Sequence, residues 1–199
     1  MQKFLIGILT AALLILQTAV TFAVPKVEIN ENIYKWIQST PRGNYYFNYQ
    51  VCGYKVNDDD TLDLNILEVP TLITYDNIQI EDVVQKRRWR MQSTRGYNDL
   101  IGRADYLVFD FKNQTVQIVR RADLDHTFTE LDSYEVGEPM KLADFTERDI
   151  SSKFYREILE WIQKNNDWVI RRSRGKLTAK DSKLKPADLP IFKAVMPGV

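Results

Sequence analysis

A single cysteine, Cys52, and a single histidine, His126, stand in a chain of 199 residues, and each scarcity removes a class of chemistry. One thiol forbids an internal disulfide and a cysteine-cluster metal site. One imidazole leaves no pair for a zinc site built on histidines, so neither a metal nor another cofactor is expected. Glycine (8) and proline (7) are too sparse for a collagen-like or linker-type chain. Net charge is missing too: 27 Lys and Arg balance 27 Asp and Glu. The field of the whole chain therefore selects no partner, and specific nucleic-acid binding is not expected. What is present is 44% hydrophobic and 12% aromatic residues, which excludes a disordered chain and suits one folded domain.

The first 23 residues read as a secretory signal peptide. Lys3 gives a short positive start, Phe4 to Val20 is almost wholly apolar, and Thr21-Phe22-Ala23 puts small side chains at the −3 and −1 positions of a cut before Val24. Cleavage removes Lys3 alone, leaving 26 basic and 27 acidic residues, a net −1. The protein is therefore expected to be exported, in the periplasm or at the cell surface. Without disulfides its stability rests on packing, with a homodimer as one further source. Cys52, in the aromatic run Tyr49 to Tyr54, reads as a small buried hydrophobe.

Ile33 to Ser39 alternates, Pro41-Arg42-Gly43-Asn44 turns, and Tyr45 to Val51 returns, which predicts a hairpin. Leu62, Leu64 and Ile66 alternate, and Leu67 to Tyr75 continues the strand character with Pro70 inside, which predicts an edge or a bulge. Asp82 to Arg90 is undecided between helix and strand, with Asp82 a candidate cap. Tyr106–Phe111 and Thr115–Arg120 form a second predicted hairpin, and Thr127 to Tyr134 a further strand. Ile150, Phe154, Ile158, Leu159, Trp161 and Ile162 lay an apolar stripe along Ile150 to Lys164, with Asp149 or Ser151 as cap and Asn165-Asn166 as the end. The fold expected is α+β: an antiparallel sheet with this C-terminal amphipathic helix packed on one face. Residues 24–170 form the domain. Residues 171–185 carry seven cations against Asp181, and with the prolines that follow they predict a basic, disordered tail over 171–199, able to contact an anionic surface.

Lys86-Arg87-Arg88-Trp89-Arg90 places four cations around one indole. It is the candidate ligand-binding segment, suited to phosphate, sulfate or acidic sugars with Trp89 stacked on a ring. The competing reading buries Trp89 in the core and leaves the cations in solvent. Asp58-Asp59-Asp60 with Asp63 fails the calcium-loop spacing, because the sixth position is Asp63 and not glycine. His126 has carboxylates beside it in sequence, but no Gly-x-Ser-x-Gly elbow accompanies it, and an exposed turn is expected. Asn113-Gln114-Thr115 matches a glycosylation acceptor, although a turn also explains Asn113. No catalytic residue is assigned.

The order of Trp36, Gly43-Asn44-Tyr45-Tyr46, the Leu62–Tyr75 strand region, Tyr106 to Phe111 and Gly137-Glu138-Pro139-Met140 resembles the surface-adhesin protein E-like domains, over roughly residues 33–163. That family often carries a cysteine just after the central Asp, where this chain has Phe111. The resemblance implies a small exported bacterial domain, non-enzymatic and adhesin-like, that binds host or envelope macromolecules. The alternatives are a periplasmic protein that binds polyanions or membrane surfaces through its basic segments, and a small periplasmic hydrolase using His126. Intact-mass measurement of the exported protein is expected to find a chain beginning at Val24; a chain retaining Met1 or Phe4 rules cleavage out.

Overall fold

Alternating aromatic and β-branched residues, which suit a pleated and half-buried surface, build the central layer of the molecule. In the computed structural model, which describes residues 27–196, they form an eight-stranded antiparallel sheet. The signal-peptide expectation for residues 1–23 lies outside the described residues. The strands are β1 (Tyr34–Thr40), β2 (Gly43–Asn48), β3 (Gly53–Val56), β4 (Leu62–Tyr75), β5 (Leu100–Asp110), β6 (Thr115–Asp125), β7 (Glu130–Glu135) and β8 (Met140–Lys141). They run in the order β1-β2-β4-β5-β6-β7, with β3 beside β4 and β8 beside β6. Both predicted hairpins form, as β1–β2 and β5–β6.

Pro70 lies in the middle of the long strand β4, paired opposite Tyr106 of β5, rather than on an edge strand. A proline is tolerated there because the other edge of β4 changes partner. β2 pairs with Thr71 to Tyr75 and β3 with Leu62 to Glu68, so no β2 or β3 residue pairs with Val69 or Pro70. The amide that proline lacks falls in a gap of the ladder.

The three helices among the described residues follow from different causes. Helix α1 (Asn77–Trp89) occupies the undecided segment; helix α2 (Ile150–Lys164) matches its predicted bounds; helix α3 (Asn166–Arg172) follows Asn165 directly. Asp149 stands at the N-cap position of α2, but its carboxylate accepts from Thr146 and not from the helix. The α2 stripe buries Phe154, Tyr155, Ile158, Leu159 and Ile162 in one cluster with Phe47, Leu67, Val69, Leu107, Phe109 and Val116. Edge-on aromatic pairs tie the two layers: Tyr45 with Phe154 at 5.4 Å, Phe47 with Trp161 at 5.3 Å and Phe109 with Tyr155 at 5.8 Å. A smaller cluster, Leu72, Ile101, Ala122 and Leu124, gathers Val27, Ile29, Tyr34, Tyr46 and Phe128.

The expected disordered tail is not what residues 171–196 form. Arg171 and Arg172 end α3, and the chain beyond them returns across the core as a strap with single 3-10 turns, burying Leu189, Ile191 and Met196 in the main cluster. Gln163 Nε2 donates to Ile191 O at 3.0 Å, and Val195 N to Gln114 Oε1 at 2.9 Å. Its anchors are spaced irregularly around Pro186 and Pro190, so they follow neither a strand nor a helix period, while Lys176, Lys180, Lys183 and Lys185 stay in solvent. Leu159→Ala is expected to cost about 2–5 kcal/mol in denaturant melts; a loss under about 0.5 kcal/mol, typical of a surface change, would place the stripe outside the core.

Candidate functional site

Helix α1 begins because Asp76 caps it, accepting from Gln79 N at 2.7 Å. Asp82, the cap expected from sequence, instead sits one turn inside the helix and pairs with Lys86 at 2.6 Å. No apolar stripe holds α1 down: Ile80, Val83 and Val84 are half-buried, and the one fully buried residue of the helix is Arg87. Its guanidinium donates to Asp132 Oδ2 at 2.8 Å and to Ser93 O at 2.8 Å, lies 3.8 Å from Asp123 Oδ2, and covers the Tyr97 ring at 4.2 Å. The helix is docked by a charge.

That charge joins a buried network. Tyr97 OH donates to Asp123 at 2.7 Å. Beside it Arg121 donates twice to Asp105, at 2.6 and 3.1 Å, and Arg103 lies 3.2 Å from the same carboxylate. Burial lifts the Asp123 carboxyl above the usual carboxylate range, against the pull of Tyr97 and Arg87. Burial also pushes the Tyr75 phenol up to about 12.

Of the five residues expected to bind a ligand, Arg87 is therefore removed: its donors are engaged and it is 9% exposed. Lys86 is paired on the surface with Asp82. Arg88, Trp89 and Arg90 are brought together in solvent at the helix end, Trp89 at 79% exposure. Neither sequence reading foresaw this, since the indole is outside and one cation inside. Met91, which follows, is 95% exposed and was not singled out. It ends the helix: Met91 N bonds Arg88 O and Gln92 N bonds Arg87 O, with Met91 at φ 53°. This is a Schellman turn whose left-handed position usually holds glycine. The readable signal was an Arg-Trp-Arg-Met run at a helix end with no glycine to close it.

The other candidates sit elsewhere. His126 Nδ1 is 2.5 Å from Asp99 Oδ2 on an exposed turn, a contact between loops distant in sequence, and it lines none of the three clefts described below. Cys52 is buried, and burial pushes its thiol up to about 12, which keeps it neutral. Asp58 to Asp60 form an exposed turn, and Asn113 is tied to Asp110 at 2.7 Å. Among the described residues no group of acidic, His or Cys side chains is placed to hold a metal ion.

One cleft, about 810 Å³, lies between β3 and the end of α3, lined by Lys55, Arg171, Arg172 and Arg174 with Glu68. A second, about 790 Å³, runs past the β1 edge under Tyr34, Trp36, Tyr46, Tyr49 and Trp161. A third, about 460 Å³, lies between β6 and the Glu135–Glu138 turn. Comparison with known proteins finds no matching family model, no matching curated protein and no matching solved structure.

Arg87→Met is expected to lower stability at pH 7 by about 2–4 kcal/mol. The full cost of breaking a buried pair is reduced because the Asp132 side chain is 40% exposed. The penalty comes from carboxylates left without their cation. It should shrink as the pH falls and Asp123, whose carboxyl burial has already raised, takes up a proton. Thermal melts of both proteins from pH 7 to pH 4 measure this, and a penalty that is unchanged or grows in acid contradicts it.

Proposed function

We propose that the protein is an exported, non-enzymatic binding protein that rests on an anionic lipid surface of the cell envelope through the end of α1. The observation that carries this reading is the joint exposure of Trp89 and Met91 among Lys86, Arg88 and Arg90. Water alone favours neither an exposed indole nor a bulky left-handed residue in place of glycine. A bilayer interface uses both parts of such a tip. Cations are drawn to acidic headgroups at about 1 kcal/mol each, and an amphipathic ring settles at headgroup level. No helix among the described residues is long and apolar enough to cross a membrane.

Export is supported by Lys3, the apolar run and Thr21-Phe22-Ala23. The adhesin-like form of the reading, with host or envelope macromolecules as partners, is supported by the order of landmarks from Trp36 to Met140. A hydrolase built on His126 has the Asp99 contact in its favour and an exposed turn against it.

Cosedimentation with vesicles decides the lipid reading. At low salt the protein is expected to pellet with vesicles containing phosphatidylglycerol and not with pure phosphatidylcholine. Arg88→Ala/Arg90→Ala should weaken binding roughly thirty-fold, about 2 kcal/mol for two cations. Met91→Gly should raise stability by about 1 kcal/mol by relieving the left-handed residue while weakening vesicle binding. Equal pelleting by parent and double variant, or equal pelleting with both lipids, sinks the proposal.

A further inference from the structure

The cleft between β3 and the end of α3 is built from parts that fix each other in place. Ser173 Oγ accepts from Tyr54 N at 2.8 Å and donates to Val169 O at 2.8 Å, so one buried hydroxyl ties the β3 backbone to α3. Gly53 makes that approach possible, since a Cβ there would stand 2.9 Å from Ser173 Oγ. Beyond it Leu62 N bonds Lys176 O at 2.9 Å and Lys176 N bonds Asp60 O at 2.8 Å, which pins the chain after Arg174 to the start of β4. Three arginines flank the Ser173 tie within four residues, Arg171 and Arg172 before it and Arg174 after it.

Arg172 is held by a bond to Gln50 O at 2.8 Å and by its stack over the Trp168 ring at 5.1 Å. Arg171, Arg174 and Lys55 make no ion pair among the described residues, and Glu68 is the one carboxylate in the lining. Arg174 is left-handed at φ 58°, immediately before Gly175. A cation is kept in a strained conformation beside a cleft already rich in positive charge. Four cations facing one carboxylate repel one another, and a bound anion of high charge density removes that repulsion. Guanidinium groups present planar donor forks that match phosphate oxygens two at a time.

We infer that this cleft is a binding site for a ligand bearing two or more phosphate groups, either soluble or displayed as a lipid headgroup. The site is separate from the lipid-facing end of α1 and does not depend on that reading.

Calorimetric titration of the full chain with inorganic pyrophosphate at low ionic strength tests it. Binding is expected, with sulfate at equal ionic strength much weaker. Arg171→Ala/Arg174→Gly should weaken pyrophosphate by about tenfold or more; both side chains are exposed, and glycine suits the left-handed position, so the fold is retained. Arg88→Ala/Arg90→Ala should leave pyrophosphate binding unchanged. In that second background, retention on vesicles containing cardiolipin, whose headgroup carries two phosphates, over phosphatidylcholine vesicles, lost on adding Arg171→Ala/Arg174→Gly, assigns a headgroup; pyrophosphate binding without such retention assigns a soluble ligand. The inference is overturned if neither probe binds, if sulfate matches pyrophosphate, or if the cleft variant binds like the parent.

Discussion

Strand β4, fourteen residues long, carries ladders on both edges, and the placement of the helices and the C-terminal strap follows from how those edges are filled. One edge pairs with β5, at Ile66 to Pro70 and again at Ile73 and Thr74. The other is shared by β2 and β3, whose separation leaves room for Pro70 and lets the chain from Asn48 to Cys52 leave the sheet plane. Above Leu67 and Val69 the covered face is apolar, and α2 packs there with the strap residues Leu189 and Ile191. Toward the far end of β4 the sheet changes character. Thr71 Oγ1 bonds Asp105 O at 2.8 Å, and the neighbouring positions carry Asp105, Arg121, Arg103 and Asp123. Helix α1 meets that half of the sheet, and it docks there through Arg87.

This division explains which parts were legible in the sequence. Helix α2 was readable because its apolar residues repeat at the helical period and face a continuous apolar layer. The two hairpins were readable from alternation and turn residues. Helix α1 was not, because its anchor is Arg87, and a buried cation makes no apolar stripe. Its partners Asp123 and Asp132 lie 36 and 45 residues away in the chain, where no local pattern joins them to it. The strap failed for a related reason: Leu184, Leu189, Ile191 and Met196 are spaced by prolines, and the lysines among them suggested a tail. Pro70 was read as the mark of an edge or a bulge, since a gap produced by two strands sharing one neighbour is a property of topology and not of the local sequence.

The candidate site divides the same way. The segment Lys86 to Arg90 was singled out by composition, but composition does not say which cation turns inward. Position along the helix does: Arg87 faces the network, and Arg88, Trp89 and Arg90 face out. The arginines at 171–174 were counted as part of a charged tail, and their common cleft exists only because Ser173 fastens them to β3.

Charge pairing separates structural cations from available ones. The network at the α1 end combines Arg87, Arg103 and Arg121 with Asp105, Asp123 and Asp132, so its net charge is zero and it projects little field. Breaking one partner there leaves a buried charge, which makes these residues poor choices for ligand contact and strong choices for holding shape. The cations outside it, Arg88 and Arg90 at one end and Arg171 and Arg174 at the other, make no ion pair among the described residues. The two groups are also apart. Arg87 sits beside Asp123, which pairs with Arg103 and through it aligns with Ile73, whereas the cleft borders Glu68. Five strand residues between Glu68 and Ile73 span about 17 Å, roughly twice the screening length of about 8 Å at physiological salt. Their fields therefore overlap little, and each group of cations acts independently of the other.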